Sequence, residues 1–143
     1  QLLVEAGQDN TFAENVLAPD PAVRYFGFKE IRYDAFGPRF PDLLAFMRAH
    51  FLDPVFVFNT RDIEDVVKSA WWKTWKEEDV RKLVGKMDGR FADYHAANPD
   101  HTVLLRYEDF SADPAALRPI FDMLNEPFDL EKLAPILEER LTH

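Results

Sequence analysis

Between Val55 and Trp72 the chain reads Val-Phe-Val-Phe-Asn-Thr-Arg-Asp-Ile-Glu-Asp-Val-Val-Lys-Ser-Ala-Trp-Trp, and no other stretch restricts the fold as much. Val55 to Phe58 is an unbroken apolar run, the pattern of a strand covered on both faces rather than one. A polar turn with a single arginine, Arg61, ends it. Asp62 then opens a helical pattern, where a carboxylate suits the dipole, and Ile63, Val66, Val67 and Ala70 share one face that can pack back on a sheet. Strand, turn and returning helix are the repeating unit of an α/β protein. In such sheets ligands bind outside the carboxyl ends of the strands, and anions favour a helix N-terminus there.

The rest of the chain carries the same alternation. Gln1 to Asp20 reads as an irregular lead-in, because Gly7, Asn10, Asn15 and Pro19 break any period. An aromatic-rich strand is expected from Val23 to Tyr33 and a helix from Phe40 to Phe51. A longer helix is expected from Glu77 to Ala97, ended by Asn98-Pro99. Thr102 to Tyr107 reads as a strand. Asp113-Pro114 reads as an N-cap with a first-turn proline, and a last amphipathic segment runs from Leu130 to Leu141. The expectation is a single α/β domain over residues 1–143, with a parallel sheet in three layers flanked by helices.

Composition narrows the function. The net charge of -9, from 26 acidic and 17 basic residues, argues against a protein that neutralises many nucleic-acid phosphates. With no cysteine there is no disulfide, no thiolate nucleophile and no Cys-based zinc site. The four histidines form no HExxH or HxxxH pair, so no metal is expected. No apolar run approaches the roughly 20 residues of a membrane span and no signal peptide is visible, which together suggest a cytoplasmic protein. The five glycines are scattered, and neither GxxxxGK[ST] nor GxGxxG occurs. A phosphate-cradling glycine loop is therefore not to be expected.

Four residues are the candidates for chemistry. Arg61 and Ser69, eight positions apart, could hold a phosphate monoester between a guanidinium and a hydroxyl; alternatively Arg61 pairs with Glu64 or Asp65 and Ser69 faces solvent. Lys29 and Glu30 stand in the aromatic strand, where a buried lysine needs a partner or a ligand. Glu30 either pairs with Arg32 or Lys29 or serves as a general base. Glu108 and Asp109, after the third strand, read best as acceptors for backbone N–H groups of the turn. Trp71, Trp72 and Trp75 could stack on a ligand ring or belong to the core.

Taken in order, these segments resemble the C-terminal two-thirds of the sulfotransferases that use 3′-phosphoadenosine-5′-phosphosulfate (PAPS). Phe58-Asn59-Thr60-Arg61-Asp62, with Ser69 eight residues after the arginine, resembles that family's 3′-phosphate-binding segment. Gly27-Phe28-Lys29-Glu30-Ile31-Arg32 is similar to its acceptor-lining strand. Leu105-Arg106-Tyr107-Glu108-Asp109-Phe110 through Asp113-Pro114 is similar to its Y-E-D…D-P element. The match covers residues 23–141 and implies a P-loop-like sulfotransferase fold.

By this resemblance Arg61 and Ser69 bind the 3′-phosphate of the donor, and Lys29 stabilises the moving sulfonate. Many members carry a histidine two residues after that lysine. Ile31 stands there instead, leaving Glu30 as the candidate base. The implied reaction is sulfonate transfer from PAPS, without a metal, to a hydroxyl of a carbohydrate or small molecule, with no nucleic-acid or membrane partner. The family's N-terminal 5′-phosphosulfate loop has no counterpart in the sequence. The expectation is thus a domain needing that segment in cis or from a partner or second copy, or else a non-catalytic nucleotide-binding or protein-interaction module.

Overall fold

The computed structural model describes residues 2–5, 20, 22–30 and 32–138. Four strands make one sheet: β1 (Leu2–Glu5), β2 (Tyr25–Phe28), β3 (Val55–Thr60) and β4 (Thr102–Arg106), in the order β2-β1-β3-β4. Its helices are α1 (Phe40–His50), α2 (Ile63–Val67), α3 (Glu77–Ala97), α4 (Tyr107–Ala112), α5 (Arg118–Met123) and α6 (Leu130–Glu138). The α/β class expected from the sequence is observed.

The all-parallel sheet is not. β3 and β4 pair in parallel, with Val57 opposite Val103, but β1 pairs antiparallel with both β2 and β3. That strand lies in the lead-in expected to be irregular; Gln1 and residues 6–19 of the lead-in lie outside the described ones. Four residues are too few to show a period in sequence, and only their pairing on two sides marks them as a strand. Because β1 opposes both neighbours, β2, β3 and β4 all run in one direction, and their carboxyl ends open on the same edge of the sheet.

The apolar run of β3 does what its composition implies. Phe56 and Phe58 enter one cluster with Tyr33, Phe40, Leu44, Met47, Phe51 and Met87. Val55 and Val57 enter another with Val103 and Leu105, over which Phe110, Leu117, Ile120, Met123 and Leu124 pack. Alternate side chains of a strand point to opposite faces, so a continuous apolar run needs cover on both. α1 and α3 supply it on one side, and the segment from α4 to α5 supplies it on the other. Phe58 stacks on Phe91 of α3 (4.8 Å, 7°), with Phe40 and Tyr94 at 6.0 and 6.1 Å.

Helix boundaries follow local chemistry. α3 spans the expected residues, and Asn98 closes it by donating from Nδ2 to the Tyr94 carbonyl at 2.9 Å. Asp113 accepts from the Ala115 amide at 2.9 Å and Pro114 follows, as expected of a capped start. Gly37, at φ +53°, makes the kink that turns the 3₁₀ segment Tyr33–Arg39 into α1, a conformation that suits glycine. α6 begins at Leu130 as expected, and the expected end at Leu141 lies outside the described residues. Two strands are shorter than their patterns suggest: β2 stops at Phe28, and Tyr107 begins α4 rather than ending β4. Among the described residues no helix is long and apolar enough to cross a membrane.

Candidate functional site

The carboxyl ends of β2 and β3 border a cleft of about 580 Å³, within the usual size of a small-molecule site of roughly 300–1,000 Å³. Lys29, Glu30 and Arg32 line it from beyond β2, and Asn59 from the end of β3. Trp71 and Trp72 come from the 3₁₀ turn after α2; Leu83, Val84, Met87, Asp88 and Phe91 come from α3. Lys29 and Glu30, expected in one site, are thus brought together. They do not sit inside a strand, however, and Lys29 is exposed rather than buried. The buried-lysine argument therefore fails: with the strand ended at Phe28, the ammonium reaches solvent at the cleft mouth.

Glu30 is only partly exposed and bends back to accept the Arg32 amide at 2.5 Å. The Arg32 guanidinium is drawn to Asp34, at 3.2 Å. Tyr33 behind them is pushed up to about 12, first by burial and then by the negative charge of Glu30.

Arg61 and Ser69 do not line the cleft. The helix expected to join them is shorter than its pattern. α2 has five residues, and Ser69 lies past its end in a turn, with its amide donating to the Val66 carbonyl at 3.0 Å. Asp62 is the N-cap itself and accepts from the Glu64 amide at 2.8 Å, so a carboxylate already occupies the start of this short helix. The anion-binding helix N-terminus expected here is corrected to a capped turn.

Arg61 has a 44% exposed side chain, with its guanidinium 4.6 Å from the Tyr107 ring centre and 3.7 Å from Asp65. The Asp65 pairing weighed from sequence is present. At that distance and exposure it leaves the guanidinium open to a stronger anion.

Two bonds brace this edge. Thr60 Oγ1 donates to the Leu105 carbonyl at 3.1 Å, and the Asp62 amide donates to Glu108 Oε1 at 2.8 Å. Glu108 is thereby a backbone acceptor, but its donor lies in the turn after β3 and not in the turn after β4 where it was expected. That hydrogen bond holds its carboxyl below the usual carboxylate range. Its Oε2 lies 3.7 Å from Arg106, beyond hydrogen-bond reach, so that contact acts through charge alone. Arg81 of α3 grips Glu64 with both terminal nitrogens and fixes α2 against α3.

Asn59 and Asp88 are among the cleft residues not singled out from sequence. Asn59 looked like part of the turn. Asp88 interrupts an apolar stripe, Val84, Asp88, Phe91, at helical spacing, and a charge in such a stripe is the signal that could have found it. Among the described residues no cluster of His, Asp and Glu could hold a metal. No known protein family, curated protein or solved structure matches the chain.

Proposed function

We propose that this domain belongs to a PAPS-dependent sulfotransferase. The observation that carries the reading is the shared direction of β2, β3 and β4, which gathers Lys29, Glu30, Asn59 and Arg61 along one sheet edge beside an aromatic cleft. In the proposed reaction the acceptor hydroxyl gives its proton to Glu30 and its oxygen forms the new bond to sulfur. The bond from sulfur to the 5′-phosphate oxygen breaks, and adenosine 3′,5′-bisphosphate leaves. Lys29 offsets negative charge on the sulfonate in flight, the kind of contribution that usually dominates such catalysis. Arg61 binds the 3′-phosphate, exchanging its weak contact with Asp65 for a charge-assisted bond, and Ser69 adds its hydroxyl. The acceptor is a small hydroxyl-bearing molecule. A cytoplasmic setting fits a chain that needs no oxidising compartment, having no cysteine.

Calorimetric titration tests the donor site. Adenosine 3′,5′-bisphosphate should bind more tightly than adenosine 5′-monophosphate. Arg61→Ala should weaken the bisphosphate about tenfold to a hundredfold, the loss of one charged hydrogen bond of ~1.5–3 kcal/mol. Equal affinities for the two nucleotides would overturn the reading. Bisphosphate binding with no sulfonate transfer to any hydroxyl acceptor, even when the family's N-terminal 5′-phosphosulfate segment is supplied, would point instead to a nucleotide-binding module.

A further inference from the structure

Among the described residues Asp88 is a half-buried charged group of the cleft that makes no ion pair or hydrogen bond, unlike Glu30 and Asp34. Arg32 is drawn to Asp34 and donates its amide to Glu30, and Lys29 stands exposed at the end of β2. Asp88 is half-buried on α3 among apolar side chains, with no cation or hydrogen-bond donor against it among the described residues. Burial alone holds its carboxyl above its ordinary value. The cleft also carries Trp71, whose side chain is 65% exposed, and Trp72. An exposed indole and an unpaired carboxylate lining one cleft are a combination that apolar packing does not require.

A neutral hydroxyl would return a hydrogen bond to such a carboxylate but leave its charge unmatched. An ammonium would return a hydrogen bond in which both partners are ionised, adding Coulomb attraction in a partly desolvated site, and its attached carbons would gain cation–π attraction from the indoles. The chain's net charge of -9 further favours the approach of a cation. We infer that the cleft takes a small acceptor bearing both a hydroxyl and a protonated amine, with Asp88 receiving the ammonium and the two tryptophans covering the hydrocarbon between. The hydroxyl part of this assignment rests on the sulfotransferase reading. The ammonium subsite rests on the cleft itself.

A matched pair of probes separates the two. Tyramine and 4-propylphenol share a phenol and a chain of similar length, and only tyramine carries an ammonium at neutral pH. Calorimetry on the whole chain should show tyramine binding about tenfold or more tightly than 4-propylphenol, equivalent to about 1.4 kcal/mol. Asp88→Asn, which keeps the volume and removes the charge, should abolish that preference. Equal affinities, no saturable tyramine binding, or a preference that survives Asp88→Asn each overturn the ammonium subsite. A parallel titration with adenosine 3′,5′-bisphosphate reports on the donor reading alone. If that nucleotide fails to bind while the tyramine preference holds, the sulfotransferase reading falls and the ammonium subsite stands.

Discussion

Replacing Phe58 with alanine removes the ring that joins the central strand to α3. The side chain is 2% exposed and lies in parallel stacking contact with Phe91, with Phe40 and Tyr94 also within aromatic range. Loss of its buried apolar surface costs roughly 2–3 kcal/mol. The cavity that rigid neighbours leave, and the lost ring pairing, bring the total to about 3–5 kcal/mol, the usual cost of a buried Phe→Ala change. With an unfolding entropy near 2.1 cal/mol/K per residue, a chain of 143 residues should lose about 10–15 °C in Tm. Urea unfolding of Phe58→Ala against the parent, followed by circular dichroism, measures the difference directly. Phe58→Leu keeps most of the volume and should lose only ~1–2 kcal/mol. A loss below about 1.5 kcal/mol for the alanine variant, at unchanged m-value, would refute the placement of Phe58 in a rigid aromatic layer.

Two further outcomes bear on the same core. Tyr33 is raised to about 12 from an ordinary 10.0, so the folded state keeps the phenol proton that the unfolded state gives up. Its contribution is complete below pH 10 and is lost as pH rises toward 12; denaturant midpoints across that range should fall less steeply for Tyr33→Phe, and identical slopes would contradict the burial. Amide exchange should be slow from Val55 to Phe58, where β3 lies between β1 and β4, and rapid exchange through that run would contradict its central position.

The candidate site shows where reading from sequence stops. Lys29 and Glu30 were legible as a pair and do line one cleft, because two adjacent residues stay close in any fold. Arg61 and Ser69 were legible as a spacing, but a spacing becomes a geometry only through the helix assumed between them. α2 ends at Val67, so the hydrophobic face of Ile63, Val66 and Val67 did not continue into a longer helix. Asp88 left only one sequence signal, a charge within an apolar stripe, and an aspartate on a 21-residue helix with many charges reads as solvated until the burial of that position is known.

The apolar run of β3, the length of α3 and the Asp113 cap follow from the chain alone. The demand for cover on both faces, helical periodicity and side-chain capping are written in runs of a few residues. The antiparallel insertion of β1 and the common direction of β2, β3 and β4 follow from long-range pairing, such as Leu2 with Phe56 and Phe56 with Thr102. Backbone hydrogen bonds carry that pairing, and they are the same for every residue type, so no side-chain pattern encodes it. The cleft is a product of the same long-range step. Lys29, from beyond β2, and Asp88, from the crossover helix, line one cleft only because the tertiary fold brings their segments to it.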